Sequence, residues 1–114
     1  MEFKIFHEST KPQNAERSVR QMKNHNQCEF EVLSSELYLH KGSVVNCKTI
    51  IHADTWEEFV FKVIRFSQSF GYSWLLSGNI QNELHLSTKQ VHSGQGISLI
   101  DISVGRETFT KGSN

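Results

Sequence analysis

Six histidines in a chain of 114 residues are the first candidates for chemistry, because imidazole serves as acid, base or metal ligand near neutral pH. Their spacing argues against a metal. His7, His25, His40, His52, His85 and His92 avoid the short intervals of a zinc finger, and Cys28 and Cys47 form no CxxC knuckle. No metal site and no cofactor is expected, and the histidines read as solvated or core-edge side chains. Neither cysteine lies in a nucleophile motif, and both are expected to be reduced. Gly94-Gln95-Gly96 is too short for a phosphate-binding loop and reads as a turn.

Two acid–base arrangements remain conceivable. His7-Glu8-Ser9 and His85-Leu86-Ser87 resemble the paired His-x-Ser/Thr motifs of the two-histidine phosphoesterases, in which two imidazoles flank a phosphodiester. That family uses an internally duplicated fold, and this chain shows no repeat. His85, Lys89 and His92 would instead give a ribonuclease-like set, two imidazoles with an ammonium to stabilise a phosphorane. Polar loop composition explains them without catalysis.

A second group is acidic. Asp54, Glu57 and Glu58 would face a basic protein such as a nuclease, although acids in a first helical turn also stabilise the helix dipole. Glu29, Glu31 and Glu36 would join that surface only if their strands lie beside the helix end. Phe61 and Phe66 fall off the main apolar stripe of the same helix, and Tyr72 and Trp74 alternate after it. Such aromatics serve either a core or an interface, including that of a homodimer.

The elements that must position these residues follow from pattern. Thr55-Trp56-Glu57-Glu58 predicts a capping box opening a helix over 55–70, with Trp56, Phe59, Val60, Val63, Ile64 and Phe70 on its buried face and Gly71 as a left-handed cap. From Asn14 to His25 only Ala15, Val19 and Met22 recur at helical spacing, so a short helix with a narrow stripe is expected, with Pro12 in the loop before it. Strands are expected around Phe3 and Ile5, over 28–33 and 36–40 with Ser34-Ser35 as the link, over 44–52, over 72–76, over 80–87 and over 97–104. The last shifts phase at Leu99-Ile100, which suggests a bulge or burial on both faces. Residues beyond about 106 read as a fraying tail anchored by Phe109.

The sum is one α+β domain over 1–114: a largely antiparallel sheet packed on one main amphipathic helix, with a short N-terminal helix. Length suits a single core. A hydrophobic fraction of 37% and a charged fraction of 21% are those of a globular chain. Twelve basic and twelve acidic residues give a formal net charge of +0, so neither nucleic acid nor an anionic membrane is an expected partner. The N-terminus alternates polar and apolar residues rather than forming a signal-peptide run, and the expected location is the cytoplasm.

The capped helix Thr55-Trp56-Glu57-Glu58, the strand entry Gly71-Tyr72-Ser73-Trp74 and the acidic group give the chain a resemblance to the immunity proteins of bacterial contact-dependent inhibition and other polymorphic toxin systems. Those are small cytosolic α+β domains without catalytic motifs. The resemblance implies a non-catalytic module that binds one cognate toxin domain, a nuclease, with Asp54, Glu57, Glu58 and Trp74 as interface candidates. The alternatives are a small metal-independent phosphodiesterase or ribonuclease using histidines, and a homo-oligomeric structural or regulatory protein.

Overall fold

The computed structural model describes residues 1–39 and 41–109. In chain order the elements are β1 (Glu2–His7), α1 (Pro12–Asn26), β2 (Glu31–Tyr38), β3 (Gly42–Lys48), α2 (Trp56–Gln68), β4 (Gly71–Tyr72), β5 (Leu75–Ser77), β6 (Glu83–Thr88), β7 (Gln90–Val91) and β8 (Ile97–Gly105). Six strands form one sheet in the order β2-β3-β1-β8-β6-β5, with every neighbouring pair antiparallel, and β4 with β7 makes a small separate ribbon. The fold is α+β, as expected. Among the described residues no helix is long and apolar enough to cross a membrane.

Strict alternation in β1 sends Phe3, Ile5 and His7 to one side of the sheet and Glu2, Lys4 and Phe6 to the other. Both helices cover the first side. Phe3 meets Phe66 of α2 at 5.6 Å, and Val19 and Met22 of α1 join Val45, Cys47 and Ile5 in the same buried cluster. Phe59, Phe70 and Ile5 are fully enclosed, and each such side chain contributes about 1.5–3 kcal/mol by leaving water. Phe109 closes one end, 5.3 Å from Phe59 and 6.1 Å from Trp56. It follows a single 3₁₀ turn, Arg106–Thr108. The remainder of the expected tail lies outside the described residues.

α2 starts where the capping residues placed it: Thr55 is the N-cap, and its hydroxyl accepts from the Glu58 amide at 3.1 Å. The Glu58 carboxylate pairs with Lys62 at 3.1 Å, the favourable i,i+4 order. The helix ends on Ser69 in right-handed geometry, so Gly71 is not its cap. Gly71 instead lies close under neighbouring side chains: a Cβ there would be 3.0 Å from the Trp74 indole, which would have to shift to admit it. α1 is longer than expected and includes Pro12 in its first turn, where the missing amide costs nothing. Its three stripe residues Ala15, Val19 and Met22 are all fully buried.

Three strand expectations need correction. Segments 28–33 and 36–40 merge into the single strand β2, because an extra residue between Val32 and Ser34 changes the phase without ending the pairing; His40 lies outside the described residues. Segment 72–76 is cut in two at Ser73, whose φ of 55° points Gly71–Tyr72 towards β7 and releases Leu75–Ser77 to β6. The bulge expected near Leu99-Ile100 falls at Ser98, which β1 skips between Phe6 and His7. Its hydroxyl donates to the Phe6 carbonyl.

Candidate functional site

The side of the sheet away from the helices carries no covering element among the described residues, so its side chains meet solvent or one another. Register assigns that face Lys4 and Phe6 of β1, Val44 and Asn46 of β3, Leu99 and Asp101 of β8, and His85 and Ser87 of β6. Its chemistry divides by strand. On the β6 side it is polar, and towards β2 it mixes apolar side chains with Glu31, Ser34 and Glu36.

On the polar side, His85 Nε2 lies 2.7 Å from Asp101 Oδ1 and His85 Nδ1 lies 3.2 Å from Ser77 Oγ, so three adjacent strands contribute one hydrogen-bonded chain. The carboxylate can only accept, which places the neutral imidazole proton on Nε2 and leaves Nδ1 to accept from the Ser77 hydroxyl. That is the bonding order of a base-activated hydroxyl. However, His85 and Asp101 are 47% and 33% exposed, so water screens the pair. Beside Asp101 runs a shallow groove of about 340 Å³, lined by Lys4, Leu33, Ser34, Asn46 and Ser103.

On the apolar side, Phe6 and Tyr38 pack edge to face at 5.1 Å over Val44, which is buried despite pointing outward. Among the described residues β2 is the edge beyond them, paired to β3 alone. It exposes Leu33, Leu37 and Tyr38 at 44%, 44% and 43%, and the turn that follows exposes Leu39. The opposite edge, β5, is only three residues long and exposes Leu75 and Leu76.

The structure separates most residues that the sequence grouped. His7 and His85 sit on opposite faces of the sheet. The His7 ring is buried, with Nδ1 accepting from the Ser9 amide at 3.0 Å and Nε2 3.1 Å from the Gln95 carbonyl, which fixes the tautomer and fills both nitrogens. Gly96 makes this possible: at φ +79°, its absent Cβ leaves room for the imidazole. His92 stacks on Tyr72 at 4.8 Å, beside the small ribbon, while His85 holds Ser77 and Asp101. Among the described residues no three or more His, Cys, Asp or Glu converge to hold a metal ion.

Asp54, Glu57 and Glu58 lie together at the N-terminal end of α2, with Asp54 and Glu57 exposed. Trp74 is elsewhere. Its indole N–H donates to the Ser67 carbonyl at 3.1 Å and its ring abuts Phe70, at the other end of a helix about 20 Å long. Glu31 and Glu36 pair across to Lys48 and Val44 on the face remote from the helices, so they do not extend the α2 acids. Phe66 is packed into the core, whereas Phe61 remains exposed beside Arg65.

Cys28 and Cys47 are free and buried. Burial pushes the Cys47 thiol up to about 12 and raises that of Cys28 as well.

Sequence reasoning passed over Ser77 and Asp101 as partners of His85, since eight and sixteen positions of separation become contacts only through strand pairing. It also treated Leu33, Leu37 and Tyr38 as ordinary strand residues; nothing in a single strand's pattern tells an edge from a centre. No protein-family model matches the chain, and neither a curated protein nor a solved structure does.

Proposed function

We propose that this chain is a non-catalytic protein-binding module of the immunity-protein kind, which neutralises a cognate toxin domain, a nuclease, by covering its active site or substrate groove. The observation that carries the reading is the outer edge of β2, along which Leu33 and Tyr38 on the uncovered sheet face and Leu37 on the other lie half exposed. Asp54, Glu57 and Glu58 offer a further acidic contact that would speed encounter with a basic partner. The cytoplasm suits such a module and keeps its two free thiols reduced. Co-purification from native cells with this chain as bait, with mass spectrometry and sizing, tests the proposal. A stoichiometric toxin domain is expected, its binding weakened when Asp54, Glu57 and Glu58 are together changed to alanine; recovery of the chain alone would remove the reading.

One observation favours a second reading. His85 is held between a hydroxyl and a carboxylate, as in a metal-independent hydrolase of phosphodiesters or RNA. Against it, His85 and Asp101 stand in water rather than in an enclosed site. Cleavage with a bell-shaped pH profile that disappears in His85→Ala would establish it; activity unchanged by that substitution would assign the cleavage elsewhere.

A further inference from the structure

We propose that the free edge of β2 is completed by one extended strand of a separate protein, a segment carrying lysine or arginine at two positions four apart with an apolar residue midway on the same face. This deepens the protein-binding reading and rests on it.

The argument begins with the backbone. β2 runs for eight residues and pairs on one side with β3, and among the described residues its other side presents amides and carbonyls without a strand to receive them. Exposed edges are ordinarily blunted by brevity, proline, lysine or a bulge. β5 is blunted by brevity. β2 contains neither proline nor lysine, and its bulge at Leu33 lies near one end, leaving Ser34 to Tyr38 in regular register. The edge is therefore open where it is longest.

Side chains select the occupant. Leu33 and Tyr38 on the outward side and Leu37 on the other lie half exposed along the strand, giving apolar footholds on both faces. The only charges on β2 are Glu31 and Glu36. Register with β3 sets Glu31 opposite Lys48 and Glu36 opposite Val44, so the two acids face the same way and the bulge draws them four neighbour positions apart. Glu36 has no cation opposite it. A second copy of β2 would bring two more acids and no base, whereas a basic strand meets both carboxylates and can bury an apolar side chain near Leu33.

The probe is a fluorescein-labelled, N-acetylated peptide with the core Lys-Thr-Val-Thr-Lys, titrated with the full chain by fluorescence anisotropy. Saturable binding is expected, weakened by salt, and about tenfold weaker for the same peptide with Glu in place of Lys. Glu36→Lys should reverse that preference, and Leu33→Lys with Leu37→Lys should abolish binding while far-UV circular dichroism stays unchanged. Methylating alternate peptide nitrogens should also abolish it, because main-chain bonds carry strand addition. Equal binding of the two charge forms, indifference to N-methylation, or no saturation would overturn the proposal. So would sedimentation showing native copies joined through β2 and separated by the Leu33/Leu37 lysine variant. If that variant still retrieves the same stoichiometric partner from cells as the native chain, strand addition fails and protein binding stands; if the native chain retrieves none, the underlying reading itself fails.

Discussion

The indole N–H of Trp56 donates to the carbonyl of Ile80 at 2.8 Å, fastening the first turn of α2 to the turn between β5 and β6. The same ring stacks on Phe59 at 5.6 Å and meets Phe109 from the side. One residue thus joins the capped end of the helix, Phe109 and the hairpin that carries Ser77 and His85.

Replacing Trp56 by phenylalanine keeps most of the apolar surface but removes the bond and part of the volume. Destabilisation of about 2 kcal/mol is expected from the lost hydrogen bond and the residual cavity. Urea unfolding would read it as a lower midpoint with an unchanged slope. A variant as stable as the native chain would mean that the bond contributes nothing.

Thr55 tests the cap. Thr55→Ala leaves the Glu58 amide without its acceptor and should cost about 1 kcal/mol, whereas Thr55→Ser should cost much less because a hydroxyl remains. Thermal melts of the two variants separate loss of the bond from loss of the methyl group. Equal losses would assign the effect to packing.

Cys47 makes stability depend on pH in a defined direction. Its thiol stays protonated in the fold up to about 12, while in the unfolded chain it ionises near its ordinary value of 9.0. Above pH 9 the unfolded state therefore binds fewer protons, and stability should fall with rising pH by up to about 1.4 kcal/mol per unit until the folded pKa is reached. Cys47→Ala, though less stable overall, should show a shallower decline between pH 9 and 11. Iodoacetamide at pH 8 should leave Cys47 unmodified until denaturant is added; rapid labelling of the native protein would contradict its burial.

The His85–Asp101 pair is exposed, so it should matter little to folding. Asp101→Asn is expected to change stability by less than about 1 kcal/mol, with the small effect shrinking further in high salt. Chemical denaturation at low and high ionic strength measures this. A larger loss would mean that the chain from Ser77 through His85 to Asp101 holds the three strands together.

Much of the local architecture was readable residue by residue. Thr55 and the Trp56–Val63 stripe announced α2, the Ala15–Val19–Met22 spacing announced α1, and alternation in β1 assigned Phe3 and Ile5 to the core. These signals are local: caps and periodicities express interactions within a turn or along a strand. The strand errors fell where two strands meet. Whether Ser34-Ser35 is a turn or the continuation of a bulged strand depends on whether β3 can pair past Leu33, and Ser73 divides its segment because β6 and β7 each claim one half.

By itself the sequence determined that this chain forms an α+β domain with a capped amphipathic helix, a balanced charge and no spacing that demands a metal, because composition and short-range pattern suffice for those conclusions. The tertiary structure alone decided that β2 is an edge, that His7 turns inward while His85 faces outward between Ser77 and Asp101, and that Trp74 lies away from Asp54, Glu57 and Glu58. Those relations arise from strand order and from which face each helix covers, and they are set by the burial of one shared core rather than by any single segment.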